Sequence, residues 1–316
     1  MKGGILHKLI EEIFHTFSNH YTKVGDYSST EIISPPRIVK LRNKYPECEK
    51  VISMVQSTAS LIGSGVHKYV ENLLTPYAHK YSLEKRITYD LLGKQISGTY
   101  DILVDNKHVF DIKTSKIWKL IFDPEMTEWI EQQNIYAFLL HKAGINIESL
   151  NIMAVYLDWQ EGMVVRSNKY PKEPIQIYPL PVWPVEQTEE FIVEKLKTHM
   201  QCEEMEDDDL PACTPEERWE RFPEGVTEKF AVMKAPDAKR ALRVFTTKAD
   251  AKKYCKTATG LTSASYIEIR YAQRVRCERY CKVNVKCNHY KTYMEDKKND
   301  ALYDKVPIAL VLNGRW

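Results

Sequence analysis

Apolar residues recur every three or four positions near the start of the chain. Ile5, Leu6, Leu9, Ile10, Ile13, Phe14 and Phe17 form one stripe and predict an amphipathic helix over residues 5–17. Pro35 and Pro36 interrupt this texture, and a new helix is expected just after them because proline suits a first helical turn. A further helix is predicted over residues 55–74, with Val66, Val70, Leu73 and Leu74 as its apolar face. From 83 to 113 the period falls to two, and EKRITYDLL, KQISGTYDILV and KHVFDIK read as strands separated by short turns. Residues 124–142 return to a helical period, with Pro124 near the first turn. Residues 150–159 read as a strand and 185–200 as a helix after a proline-rich stretch.

The order helix, three strands, helix, strand predicts an α/β fold with a central mixed β-sheet flanked by helices. The acidic run EEMEDDD marks an expected boundary between a core of residues 1–202 and a C-terminal region of residues 203–316. That region holds most of the cysteines. Composition adds bounds to this picture. With 316 residues, 43% hydrophobic and 28% charged, the chain has ample material for a globular core. A net charge of +2 gives no global basicity, so any surface for anions must be local. No apolar run approaches the ~18 residues of a membrane span, and the first residues lack a secretory pattern. Seven cysteines in a long chain argue against a disulfide framework and leave metal binding or buried thiols, so a reducing cytoplasm is the expected location.

Four patterns carry candidate chemistry. In VFDIKTSKI, Asp111 and Lys113 share one face of a strand. In GSGVHKYVEN, His67 and Glu71 share one face of a helix; in SGTYDILV, Asp101 follows Gly98 on a strand; in EQQNIYAFLL, Gln132 and Tyr136 stand one turn apart. Each alone has an ordinary explanation: an exposed charge pair, a surface or core histidine, a polar edge beside an apolar face.

Together, in this order and spacing, the patterns resemble the RecB-like and AddB-like branch of the PD-(D/E)XK nuclease superfamily. The matching positions are Gly63, His67 and Glu71; Gly98 and Asp101; Asp111, Lys113 and Thr114; Gln132 and Tyr136, all within about residues 60–140. The resemblance implies a restriction-endonuclease-like core and a metal-dependent deoxyribonuclease, an exonuclease of DNA recombination, repair or phage replication. Asp101, Asp111, His67 and the Ile112 carbonyl would hold Mg²⁺ or Mn²⁺, and Lys113 would orient or deprotonate the attacking water. Gln132 and Tyr136 would position the lysine or the DNA strand. Glu71 is either an outer partner or a plain surface acid. DNA is the expected partner, with a single-strand annealing or other recombination protein beside it. Two alternatives stay open: a non-catalytic DNA-binding protein on the same fold, and an RNA nuclease.

One geometric consequence follows. For Asp101 and Asp111 to face one ion from adjacent antiparallel strands, the turn must centre on Asn106. That requires a three-residue connection, Asp105-Asn106-Lys107, with one residue near the left-handed conformation.

The stretch RVRCERYCKVNVKCNHY presents Cys277, Cys281 and Cys287, too dense for unrelated core thiols. Three thiolates call for a fourth ligand around zinc or an iron–sulfur cluster. The pattern is similar to RecB-like nucleases whose C-terminal cysteines hold a 4Fe–4S cluster; three rather than two intervening residues at the first step keep Zn²⁺ open. Those relatives point to Cys48 as the distant ligand, whereas phage-encoded exonucleases of the superfamily point to Cys213, which is preferred. His289 could replace one thiolate. Cys202 and Cys255 lie in helical surroundings and read as structural. The lysine-rich residues 234–256 read as a solvated helical face or as a surface that tracks phosphates.

Overall fold

The structure, a computed structural model, describes residues 24–50, 54–117, 125–220, 222, 226, 228–300 and 305–316. The helix expected over residues 5–17 lies outside the described residues. The chain divides into two compact units, the first built from residues up to Lys40 with Lys50–Glu204, the second from Leu41–Glu49 with Met205–Trp316.

In the first unit, strand β1 (Tyr27–Ser28) runs into the short helix α1 (Ser29–Ile32). A capping box fixes the turn: Ser28 Oγ accepts from the Glu31 N–H while the Glu31 carboxylate accepts from the Ser28 N–H. Pro36 opens α2 (Pro36–Lys44), as the double proline predicts. Helix α3 (Met54–Leu74) follows, then the strands β2 (Tyr81–Leu91), β3 (Lys94–Val104) and β4 (His108–Ser115), helix α4 (Thr127–Lys142), β5 (Ser149–Tyr156), α5 (Glu161–Val164), β6 (Ile175–Leu180) and α6 (Val185–Glu203). The sheet is mixed. β1 pairs with β3 and β4 with β5 in parallel, while β2–β3, β3–β4 and β5–β6 are antiparallel.

Helix α4 is the hub of this unit. Trp129, Tyr136 and Leu140 pack with Val109, Leu150 and Ile152 of the sheet, while Ile135, Phe138 and Leu139 pack with Ile32, Ile96, Ile192 and Leu196. A helix apolar on nearly every side must be covered on nearly every side. Each fully buried Leu, Ile or Phe here contributes roughly 1.5–3 kcal/mol, so this helix is held by packing more than by propensity. Helix α3 differs from its expectation in one respect. Val66, Val70 and Leu74 are half-buried, but Leu73 is 54% exposed. The inward stripe is rotated toward Gly63 and His67, because Gly63 is where the helix meets β4.

The second unit carries a four-stranded antiparallel sheet of order β10-β9-β7-β8, built from β7 (Glu228–Met233), β8 (Arg243–Phe245), β9 (Tyr266–Tyr271) and β10 (Lys305–Pro307). Helices α7 (Lys248–Thr257), α8 (Val275–Arg279), α9 (Asn288–Asp300) and α10 (Ile308–Leu312) complete it. Phe230, Val232 and Ile267 pack under Ala251, Cys255 and Val311. The helical reading of residues 234–256 holds only for Lys248–Thr257. Before it, a turn closed by the Ala238 N–H on the Ala235 carbonyl reverses the chain into β8. The segment Leu41–Glu49 is tied into this unit by Lys44 and Tyr45, which reach Asp207 at 2.9 and 2.6 Å, and by Lys286, 3.6 Å from Glu47. Among the described residues no helix is long and apolar enough to cross a membrane.

Candidate active site

Strand β3 is paired with β2 along nearly its whole length. On its other edge β1 takes Ile96 and Ser97 and β4 takes Ile102 to Val104, which leaves Gly98 to Asp101 without a strand partner on that side. The β3–β4 register runs Val104↔His108, Leu103↔Val109, Ile102↔Phe110, so the connection is the three-residue loop expected from the spacing. Two of its residues, Asp105 (φ 51°) and Asn106 (φ 55°), are left-handed rather than one. Beyond Phe110 the strands part. The Ile112 N–H donates not to a β3 carbonyl but to Asp101 Oδ2, at 2.6 Å, while β4 continues in parallel with β5. A carboxylate thus stands in the fork where a ladder bond would otherwise be.

Around this fork the expected residues converge. Asp101 and Asp111 are 7% and 2% exposed. His67, on α3, sets Nε2 2.8 Å from the Ile112 carbonyl oxygen and Nδ1 3.4 Å from Asp101 Oδ1. Lys113 Nζ stands 2.7 Å from Asp111 Oδ2 and donates to Gln132 Oε1 at 3.0 Å. Gln132 Nε2 in turn donates to Tyr136 Oη at 2.8 Å, so the one-turn spacing on α4 becomes a relay that fixes the lysine. Glu71 stands apart from this group and pairs with Lys68 at 2.7 Å.

The glycines of the motif are explained by space, not by backbone freedom. A Cβ on Gly98 would lie 2.8 Å from Cδ1 of the Tyr136 ring, and one on Gly63 would lie 3.2 Å from Thr114 Oγ1. The motif residues are therefore packing partners in pairs. Gly98 admits Tyr136, and Gly63 brings α3, and with it His67, against β4.

The electrostatics are those of a buried anionic site. Burial pushes the Asp111 carboxyl up, the Lys113 ammonium pulls it down, and nearby Asp101 pushes it up again. The Lys113 ammonium, 2.7 Å away, is the partner of the buried Asp111 Oδ2. Burial pulls the His67 imidazole down, yet hydrogen bonds that it donates to Asp101 and Glu84 outweigh it, and its pKa is pushed up to about 10. Burial, with Asp111 nearby, raises the Tyr136 phenol; a hydrogen bond from Ser29 acts against this.

Two neighbours of the site escaped the sequence reading. Ser29 meets Tyr136, and Glu84 Oε1 lies 3.6 Å from His67 Nδ1. Ligand atoms of His67, Glu84 and Asp101 all fall within 4.8 Å of one another. No motif flags Glu84. The available signal was the two-residue turn Leu92-Gly93, which makes position 84 face position 101 across β2 and β3.

In the second unit Cys213 joins the three clustered cysteines. Burial pushes its thiol up to about 12, with Glu217, Cys277, Cys287 and Cys281 adding to the effect. Burial likewise pushes Cys281 up to about 11, with Cys277 and Cys287 as electrostatic neighbours. The loop after Cys213 is fastened beside the others: the Arg276 N–H donates to the Arg218 carbonyl at 3.0 Å, Glu220 bridges Arg274, and Asn284 Nδ2 donates to the Cys277 carbonyl at 2.8 Å. Cys48 is buried in the turn Pro46–Lys50, and Cys202 and Cys255 are buried in α6 and α7.

No protein-family model and no curated protein matches the sequence. Among solved structures the chain is similar to SSO0001, with a TM-score of 0.46 at 18% identity over 64% of this chain and 88% of that one. It is also similar to the alkaline exonuclease LHK-Exo from Laribacter hongkongensis, with a TM-score of 0.33 at 12% identity over 55% of this chain and 87% of that one. The complex of LHK-Exo with dAMP gives 0.34 at 13% identity over 55% and 88%. At these scores the functional reading rests on the chain's own residues.

Proposed function

We propose that this protein is a metal-dependent nuclease that hydrolyses phosphodiester bonds in DNA, acting as an exonuclease. The observation that carries the reading is the meeting of two buried carboxylates, an imidazole, a main-chain carbonyl and a lysine at the β3–β4 fork. The donor set fits a hard divalent ion: oxygens from Asp101, Asp111 and Ile112 and one nitrogen from His67, with both carboxylates buried. The imidazole favours Mn²⁺ somewhat over an all-oxygen set. When bound, such an ion supplies charge neutralisation at the phosphate.

The chain's own groups do the rest. Asp101 is held rigid by the Ile112 N–H, and Asp111 by burial. Lys113, fixed between Asp111 and Gln132, orients the attacking water and offsets negative charge on the phosphate. Tyr136 acts through Gln132 and is a positioning residue. The exposed lysines and arginines between residues 234 and 256 support an anionic partner.

For the cysteines we propose a 4Fe–4S cluster on Cys213, Cys277, Cys281 and Cys287, which would staple the loop at 213–220 to the segment 274–287. The thiols feel one another electrostatically, yet among the described residues no three of their sulfurs lie within 4.8 Å. A zinc tetrahedron with Zn–S bonds near 2.3 Å needs sulfurs about 3.8 Å apart.

The test is degradation of end-labelled DNA with Mg²⁺ or Mn²⁺ by the parent protein and by Lys113→Ala. Release of nucleotides by the parent and none by the variant is expected. Equal cutting by both overturns the role of the lysine, and DNA binding without cutting by either favours a non-catalytic binding protein. Equal cutting of RNA would widen the substrate class.

A further inference from the structure

Of the six non-glycine residues with positive φ among the described residues, Glu84 alone lies inside a strand; the others occupy turns or a helix cap. Its φ is 46°, a conformation that a glutamate rarely takes and that nothing in a regular hairpin requires. The β2–β3 ladder is otherwise continuous from Tyr81↔Val104 to Leu91↔Lys94 and lacks only the pairing of Glu84 with Asp101. The break therefore falls opposite one of the two site carboxylates. In the break, Glu84 turns its carboxylate to the Nδ1 side of His67, which Asp101 Oδ1 also faces. Strain held at one position inside an otherwise regular element calls for a role there.

We infer that Glu84 is a third carboxylate ligand of the divalent ion, completing with His67 and Asp101 a set of donors within 4.8 Å of one another. This deepens the nuclease reading and rests on it for the site, though not for the reaction. A simpler account makes Glu84 only an ion-pair partner of His67. The two accounts part once the imidazole is removed. If Glu84 merely holds His67, its substitution changes Mn²⁺ affinity no further in a His67→Gln background. If Glu84 is a ligand, its substitution weakens Mn²⁺ in that background too, by at least the roughly 10-fold that loss of a group supporting a metal site costs.

The experiment is Mn²⁺ titration of the full-length protein, without nucleic acid, followed by electron paramagnetic resonance of free Mn²⁺. It compares the parent with Glu84→Gln and Glu84→Gly, and His67→Gln with the double variant His67→Gln/Glu84→Gln. Both variants are expected to weaken Mn²⁺ by about 10–100-fold. In the metal-free protein Glu84→Gly is expected to melt higher than Glu84→Gln, since both lose the pairing with His67 and glycine alone accepts positive φ at no steric cost. Unchanged or tighter Mn²⁺ binding in both variants, or a loss that disappears in the His67→Gln background, overturns the assignment. Should the parent bind Mn²⁺ and cut no nucleic acid, while the variants bind it weakly, the ligand assignment stands and the nuclease reading falls. Should the parent cut DNA and the variants keep full Mn²⁺ affinity, the reverse holds.

Discussion

The substitution Gly98→Ala tests the packing that ties β3 to α4. Its methyl would sit 2.8 and 2.9 Å from two carbons of the Tyr136 ring and 3.0 Å from Leu139 Cδ1, against the roughly 3.5–4.0 Å of an unstrained carbon contact. Neither neighbour can step aside, since Tyr136 and Leu139 are 4% and 1% exposed and the phenol is held by Gln132. Overpacking of this kind costs about 1–3 kcal/mol. Replacing a strand glycine returns roughly 0.5–1 kcal/mol of conformational entropy. The net runs from about 0 to about 2.5 kcal/mol and centres near a loss of about 1 kcal/mol, or roughly 2–4 °C in melting temperature for a unit of this size. Activity should fall further than stability, because the ring that must move holds Gln132, which holds Lys113, and a misplacement of about 1 Å can cost about 100-fold in rate. Thermal unfolding by circular dichroism, with DNA cleavage assayed well below the transition, measures both effects. In a Tyr136→Ala background the same methyl enters vacated space and should be neutral or stabilising. A Gly98→Ala protein as stable and active as its parent would refute the reasoning.

Other outcomes follow from the same geometry. The raised His67 pKa means that the imidazolium adds stability to the metal-free protein, in full below its ordinary value of 6.5, and that this is lost as pH climbs toward about 10. In EDTA, the melting-temperature gap between the parent and His67→Gln should therefore narrow steadily from pH 6 to pH 10, and a constant gap would count against the pairing with Asp101 and Glu84. Gln132→Ala should lower the cleavage rate by more than Tyr136→Phe, since the first removes the acceptor of Lys113 and the second only the support behind it. Cys213→Ser should yield a colourless, less stable protein after anaerobic purification, whereas Cys255→Ser should keep the brown colour expected of the parent; visible absorption and iron content decide between them.

Much of the first unit could be read from the chain because its signals are local. The three-residue loop was anticipated from the demand that Asp101 and Asp111 face one ion, which Asp105 and Asn106 permit, and the register bears that loop out. The four-residue spacing of Gln132 and Tyr136 likewise foretold a shared helix face. What the spacing could not convey was why Gly98 and Gly63 are glycines, since their constraints come from a ring and a hydroxyl on distant elements. The Leu92-Gly93 turn could have set Glu84 opposite Asp101, but nothing in EKRITYDLL announces the backbone distortion found there. The second sheet was missed in part because two of its four strands have only three residues, too few for alternation to show as a period.

The discontinuous make-up of the second unit bears on how the protein is born. Lys44 waits for a carboxylate 163 positions downstream. At a synthesis rate of about 5–20 residues per second, that interval is roughly 8–30 s, during which a nine-residue strip has emerged without its eventual companions. Construction on the ribosome must therefore run through the sheet bearing the carboxylates before the thiol-bearing unit can close. Expression of residues 205–316 alone should yield an unfinished fragment rather than a free-standing domain.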